Sequence, residues 1–461
     1  MRTIDDHRRE ISALLAPVSE ALGIETLPVD AAMMAASPEL YRRRVLADDL
    51  RAPSSLPAFD NSQMDGYAVL AADLASATAD SPVTLRVVQR IAAGDAAGEH
   101  LGGTATPIMT GAPVPRGADA VVQIERADPP VFPSQVRGQA RSGQNHAGQA
   151  RETVPGEAAP AEAAGPPEPP AAAPVVAFAS PVDPGTFIRA AGSDVATGEV
   201  LLPASTELGP AQFGVIAGTG AIEITVRARP RVLLVSTGHE IRDPGSLLAP
   251  GQIFDANSAA LTAALLEIGC AVTPVPCRSD DAEVLLELLD EHAPHHDVVV
   301  TVGGVSAGVR EVVRDALGPR GVSFVKVAMQ PGGPQGFGML RLGDADTPGP
   351  AIPTVCLPGN PVSALVSFEA FLRPALRGTL GVSPVLRENR RAPAAHPFTS
   401  PAGHHQLRRG VLNDDGALEL VGGPSSHLLH SYAASTVLVH VPVGTAEVSA
   451  GDELDYWRID G

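Results

Sequence analysis

Three short stretches of the chain place glycine among small or hydroxyl-bearing residues, directly after apolar, β-branched runs. They are Ser236-Thr237-Gly238, the 303–308 stretch that opens on Gly303-Gly304, and Leu357-Pro358-Gly359-Asn360-Pro361. Glycine lets backbone N–H groups come close to an anion, and a helix starting at such a loop adds partial positive charge. Any one of these loops is explained as a tight turn. Three at the ends of strands in one sheet point to a site for phosphate or another oxyanion. The chain has no P-loop and no nicotinamide fingerprint, so the residues alone lead to a nucleotide-binding-like sheet and no further.

The runs before these loops, 231–235, 297–301 and 354–357, read as buried strands. Between them, Leu261, Leu265 and Ile268 share one side of a helix over 257–268 that Gly269 can cap. Asp280-Asp281 open a second helix through Leu285, Leu288 and Leu289, with acids suited to its positive end. A third helix follows Pro361 and runs through Phe371. Strands alternating with helices predict a doubly wound parallel sheet, with ligands at the carboxyl ends of its strands.

The flanks read differently. Residues 1–50 are expected to be helical, with Ile11, Leu14, Leu15 and Val18 on one face. Residues 56–125 carry short β-like runs at 83–88 and 120–124. Residues 127–174 are rich in Ala, Pro, Gly, Gln and Glu, which predicts a disordered insertion that cannot pack. From 393 onward, runs such as 435–441 predict a small β domain. The expected division is therefore a helical or linking segment (1–50), a lateral β domain (51–190), a return segment (191–228), an α/β domain (229–378) and a C-terminal β domain (379–461).

The 461 residues suffice for three or four compact units, and 44% hydrophobic content supplies their cores. A formal net charge of −19 argues against wholesale nucleic-acid binding, which needs a basic surface. It also means that an anionic ligand must be held by local groups against long-range repulsion. No apolar run approaches the roughly 18 residues of a membrane span, and no export segment opens the chain, so a cytoplasmic protein is expected. Cys270, Cys277 and Cys356 are too few and too scattered for a disulfide framework or a zinc clamp, and read as small buried hydrophobes.

Longer motifs carry a resemblance. Asp60-Asn61-Ser62-Gln63-Met64-Asp65-Gly66-Tyr67-Ala68-Val69 is similar to the DNSxMDGYAV signature of the molybdopterin molybdenumtransferase (MoeA-type) family, which is related to the C-terminal domain of gephyrin. The 107–122 stretch resembles its MTGAPVPxGADAVV segment. Arg189-Ala190-Ala191-Gly192-Ser193-Asp194, Ser236-Thr237-Gly238-His239-Glu240 and the 357–364 stretch resemble three more, all in family order. The resemblance implies insertion of molybdenum from molybdate into adenylylated molybdopterin with release of AMP, assisted by Mg2+. It also implies a homodimer whose cleft draws on the α/β domain of one subunit and a β domain of the other. A molybdopterin adenylyltransferase and molybdoenzyme apoproteins are the implied partners.

By the same resemblance, Asp65, Asp194, Glu240, Asp280 and Glu311 are the candidate catalytic carboxylates, with Asp65, Glu240 and Asp280 the candidate metal ligands. Thr110, Ser236, Thr237, Gly238, Gly303, Gly304, Ser306, Lys326, Pro358, Gly359, Asn360, Pro361 and Arg409 are the candidate substrate-binding residues. A helix cap explains Asp280 equally well, and local turn bonds explain the hydroxyls. The chain also departs from the family pattern. TSGGVSVG becomes 301–308 with Val302 for the serine, the second acid of STGDE survives but its first is His239, and Glu311 replaces an aspartate. MKPGKP becomes Met329-Gln330-Pro331-Gly332-Gly333-Pro334 and loses both lysines. Those losses leave open a catalytically weakened paralogue that binds molybdopterin or a partner protein. The adenylylating enzyme, whose domain resembles 230–375, is disfavoured because the flanking motifs belong to the insertase.

Overall fold

The computed structural model describes residues 2–133, 173–305, 311–343 and 348–460. The chain divides into two compact units, one of residues 1–50, 202–214 and 222–461, the other of 51–201 and 215–221.

At the centre of the first unit lies a six-stranded sheet. Its order is Ala271–Cys277, Arg231–Thr237, Val298–Val302, Pro348–Leu357, Pro334–Gly343, Val322–Lys326. The first four strands run parallel to one another. The last two pairings are antiparallel, so Pro334–Gly343 runs against the other five strands, a difference from the all-parallel expectation. The physical reason is loop length: too few residues join these strands for a helical crossover, so the chain must fold back as hairpins.

Alternation along the strands buries both faces. Val232, Leu234, Val298 and Val300 pack on one side with Leu261 and Leu265 of helix Ala256–Glu267. Leu233, Val235 and Val299 pack on the other with Leu285 and Leu289 of helix Ala282–His292. Helix Ile4–Ala21 starts with a capping box between Thr3 and Asp6, and it lays Ile4, Ile11, Leu15 and Val18 into the first of these cores. Leu14 is only partly buried. The helical expectation ends there: Ile24–Pro28 is a strand, followed by helices of six and four residues.

The C-terminal part of this unit is a second sheet in the order Met329–Gln330, His405–Leu412, Val437–Val441, Glu453–Arg458, Asn389–Pro393. The short strand Met329–Gln330 pairs in parallel with His405 and Gln406, tying the segment that lost the family lysines to this sheet.

The other unit is built on a six-stranded sheet ordered Ala120–Gln123, Gly66–Val69, Thr104–Ile108, Val83–Val87, Val175–Phe178, Ala127–Asp128. Tyr67, Leu74, Leu85 and Phe178 form its core. The edges of the expected insertion are structured, which corrects its bounds. Ala127 and Asp128 pair with Phe178 and Ala177, the Tyr67 hydroxyl donates to the Val131 carbonyl at 3.1 Å, and Phe132 packs on the Tyr67 ring. These residues carry apolar side chains that the 127–174 average conceals. Positions 134–172 lie outside the described residues.

All three cysteines are buried and unpaired, and burial pushes Cys270 and Cys356 up to about 12, far from any thiolate. Among the described residues no helix is long and apolar enough to cross a membrane.

Burial also makes stability depend on pH. His7 is fully buried between the Phe337 and Phe371 rings, and burial, helped by Arg2, pushes it down to about 4. His440 is pushed down to about 3 by burial, then by His405 and Arg8. Both folded-state values lie below the ordinary value of 6.5, so the folded form holds fewer protons than the unfolded chain. Stability is therefore complete above pH 6.5 and falls as pH drops toward 4. The slope is about 1.4 kcal/mol per pH unit for His7. Denaturation series at pH 7.5, 6 and 5 check this, and His7→Leu should flatten the decline.

Candidate functional site

The parallel strands deliver their three glycine-containing loops to one cleft of about 820 Å3, all within the first unit. Thr237, Gly238, Gly303, Gly304, Pro358, Gly359, Asn360 and Pro361 all line it, so the sequence-predicted loops converge as expected. Their glycines are needed for close approach. Gly303 has φ +106°, and a Cβ there would lie 2.7 Å from Thr237 Oγ1 and 2.8 Å from the Thr237 carbonyl oxygen. A Cβ on Gly359 would stand 3.3 Å from Gly303 Cα. The loops thus interlock backbone to backbone.

That interlocking consumes some of the expected anion donors. The Gly303 N–H donates to the Leu357 carbonyl at 3.0 Å, and the Gly238 N–H to the Cys277 carbonyl at 3.1 Å. Ser236 is buried below the cleft and donates its hydroxyl to Asp255 Oδ2 at 2.5 Å, while Ser258 donates to both. Asp255 in turn caps helix Ala256–Glu267 by accepting from the Ser258 N–H at 2.9 Å. In this network Ser236 anchors a helix start and does not line the cleft. Thr237 reaches the cleft, with its hydroxyl donating to the Val302 carbonyl at 3.3 Å.

Charge on the walls is acidic. Glu240, Asp255, Asp280 and Glu311 line the cleft, and no lysine or arginine does so among the described residues. His239 stands among them, with its Nδ1 2.9 Å from Asp280 Oδ2 and 3.7 Å from Glu240 Oε2. Gly238 makes room for this group, since a Cβ there would lie 2.6 Å from Glu240 Oε2. Such hard oxygen donors suit Mg2+, which takes one or two carboxylates and completes its shell with water and substrate phosphate. Among the described residues no three His, Cys, Asp or Glu side chains are grouped to hold a metal ion by themselves.

The two cations expected at the site are placed elsewhere. Lys326 is exposed at the end of its strand and does not line the cleft. Arg409 is buried and donates to the carbonyls of Gly423 and, at 2.9 Å, Ser425. It holds the loop whose Pro424, Ser425 and Ser426 form one wall. Gln330 lines the cleft where the family has lysine, and its Oε1 accepts from Gln406 Nε2 at 2.9 Å. Ser306 lies outside the described residues.

Asp65, Thr110 and Asp194 belong to the other unit. Asp65 Oδ1 accepts from the Thr110 N–H at 2.7 Å and from its hydroxyl at 2.9 Å, which fixes an exposed carboxylate in one orientation. Asp194 is exposed, in a turn held by its own N–H to the Leu56 carbonyl. Sequence reasoning missed Asp255, Asn257, Phe254 and Ser363 as lining residues. The available signal was the position of Asp255 at the start of a predicted helix.

Comparison with known proteins gives the same assignment from end to end. Residues 2–220 match the MoeA N-terminal region (domain I and II), 233–378 a probable molybdopterin binding domain, and 391–459 the MoeA C-terminal region (domain IV). Molybdopterin molybdenumtransferase 2 of Mycobacterium tuberculosis is 39% identical over 475 aligned residues that cover all of both chains. Molybdopterin molybdenumtransferase 1 of that organism is 31% identical, over 99% of this chain and 98% of its own. A crystal structure of the molybdopterin biosynthesis MoeA protein from Pyrococcus horikosii superposes with a TM-score of 0.70 at 26% identity, covering 98% of this chain and 99% of that one. With the three loops joined in one cleft and each region matched in order, the chain belongs to the molybdopterin molybdenumtransferase family.

Proposed function

We propose that the protein is a transferase of molybdenum cofactor biosynthesis that inserts molybdenum from molybdate into adenylylated molybdopterin and releases AMP. The observation that supports this most is the cleft at the carboxyl ends of the sheet, where family loops meet the carboxylates of Glu240, Asp280 and Glu311. In this reading Mg2+ supplies the positive charge that the acidic walls lack toward phosphate and molybdate oxygens. Glu240 and Asp280 would hold it, His239 keeps the Asp280 carboxylate oriented, and Thr237 would exchange its long bond to the Val302 carbonyl for one to a substrate oxygen. Interlocked Gly303 and Gly359 keep the floor of the cleft rigid, which favours preorganised over induced contacts.

Asp65, Thr110 and Asp194 enter the same reading through a homodimer, in which the 51–201 unit of one subunit serves the cleft of its partner. Asp65 would then be the third metal-directed carboxylate, held ready by Thr110. Sedimentation at micromolar concentration should show a dimer, and a monomer would remove the shared cleft. A cytoplasmic location, exchange with a molybdopterin adenylyltransferase and delivery to molybdoenzyme apoproteins complete the proposal. The weakened-paralogue alternative has no support in the relatives, which are named as transferases along their whole length.

The lost lysines lead to a direct test of how the cleft holds anions. Gln330→Lys should tighten binding of molybdopterin by about tenfold, with steeper salt dependence, because it adds one charge-assisted contact to a cleft that no lysine or arginine lines among the described residues. Equilibrium titration at two salt concentrations checks it. Equal affinity at both would show that Gln330 does not face the ligand. For the reaction itself, the protein is incubated with adenylylated molybdopterin, Mg2+ and molybdate, and AMP release is followed with reconstitution of an apo-molybdoenzyme.

A further inference from the structure

On a chain of net charge −19, one surface pocket of the first unit is lined by five arginines. Arg373 and Arg377 stand four residues apart on helix Arg373–Thr379, so one helix face presents both. Arg387 follows in the segment leading to the C-terminal sheet. Arg390 and Arg458 come from that sheet's paired strands Asn389–Pro393 and Glu453–Arg458. The side chains of Arg373, Arg377 and Arg387 are 13%, 13% and 9% exposed, while Arg390 and Arg458 are 46% and 53% exposed. Three guanidiniums therefore form a floor and two a rim.

The carboxylates around this pocket do not balance it. Glu369 serves two arginines, Arg387 at 2.6 Å and Arg373 at 3.8 Å. Glu207 also serves two, Arg43 at 2.9 Å and Arg377 at 3.5 Å. Arg390 pairs with Glu388 and Arg458 with Asp460, each at 2.6 Å. Glu267 also acts on both Arg373 and Arg387, so six arginines share five acids, an excess of one positive charge among these groups, and Glu388 is the single acid among the described lining residues. Arg377 Nε is buried with no hydrogen-bond partner. Burial, reinforced by Arg387 and Arg377 and opposed by Glu369 and Glu267, lowers Arg373 to about 10. Crowding half-buried cations costs free energy unless an anion relieves it.

We propose that this pocket binds a small dianionic oxyanion of the phosphate class, at a site separate from the carboxylate-lined cleft. No residue lines both. Its volume of about 240 Å3 is below the ~300 Å3 at which pockets for organic ligands begin, which selects an ion over a nucleotide. Planar guanidiniums suit a phosphate-like ion, because each offers a pair of N–H donors.

The test is calorimetric titration of the full chain with inorganic phosphate at low ionic strength. The double variant Arg377→Gln/Arg390→Gln should bind phosphate about tenfold or more weakly, since it loses two charge-assisted contacts. Glu388→Gln, which removes the lining acid, should bind more tightly, and it decides the matter if the double variant does not fold. Molybdate titrated in parallel distinguishes the ion: a response that follows the arginine variants for molybdate and not for phosphate assigns the pocket to the reaction's own oxyanion. Absence of any anion binding by the wild type overturns the proposal. So does equal binding of both ions by all three proteins.

Discussion

Glu240→Gln is expected to keep the fold and to lose two to three orders of magnitude in AMP release, on the order of 3–4 kcal/mol of transition-state stabilisation. The reason is positional. The carboxylate lies against Gly238, whose φ of +150° brings the backbone under it, and it faces the cleft beside Asp280. Its partner His239 stands on the cleft wall and is exposed, so neutralising Glu240 leaves no buried charge unpaired. The melting temperature should therefore stay close to wild type while turnover falls. Asp280→Asn should be somewhat milder in rate, because an amide still accepts from His239 Nδ1. Since His239 contacts both acids, the double variant should lose less than the product of the two single losses. Rates of AMP release in the three variants check this. Wild-type turnover in both single variants would take the two carboxylates out of the mechanism.

Gly303→Ala should have the other large effect, this time on stability and rate together. At φ +106° an L side chain is strained, and the added Cβ would sit 2.8 Å from a backbone oxygen that cannot swing aside. Strain plus overpacking amounts to about 3 kcal/mol. Relief requires moving the 237–238 loop away from the 357–361 loop, so the cleft would open as the protein weakens. Gly333→Ala is the internal control. Its Cβ would come no closer than 3.4 Å to any neighbour, the Val327 carbonyl oxygen, with the Met329 carbonyl oxygen at 3.5 Å, so it should be near neutral. Denaturation midpoints for the pair check the contrast. Equal midpoints would mean that the loops do not interlock.

The convergence of the three loops was legible because each sits at the end of a β-branched strand in an alternating α/β pattern. That pattern forces the loops to one edge of the sheet. The roles of individual polar groups were not legible. Ser236 and Thr237 are adjacent hydroxyls, yet strand alternation turns Ser236 inward to Asp255 and leaves Thr237 on the cleft. Arg409 has the charge for an anion but spends it on two carbonyls of a loop 14 to 16 residues away, a contact that no local pattern encodes.

Some strands were hidden by composition. Ala271–Cys277 contains Pro274 and Pro276, which speak against a central strand, and it is tolerated because it lies at the sheet edge. Val322–Lys326 closes the opposite edge, where the chain turns antiparallel. At the insertion, the average over 127–174 concealed Val131 and Phe132, whose contacts with Tyr67 extend the packed unit beyond the predicted boundary.

The central claim is that the acidic cleft performs molybdenum insertion although no lysine or arginine lines it among the described residues. Single-turnover AMP release from adenylylated molybdopterin, measured with and without molybdate and across an Mg2+ titration, tests it most directly. The account predicts release that requires both molybdate and Mg2+, is lost in Glu240→Gln, and yields a product that activates an apo-molybdoenzyme. Tight binding of the adenylylated substrate with no AMP release at any Mg2+ concentration would contradict it.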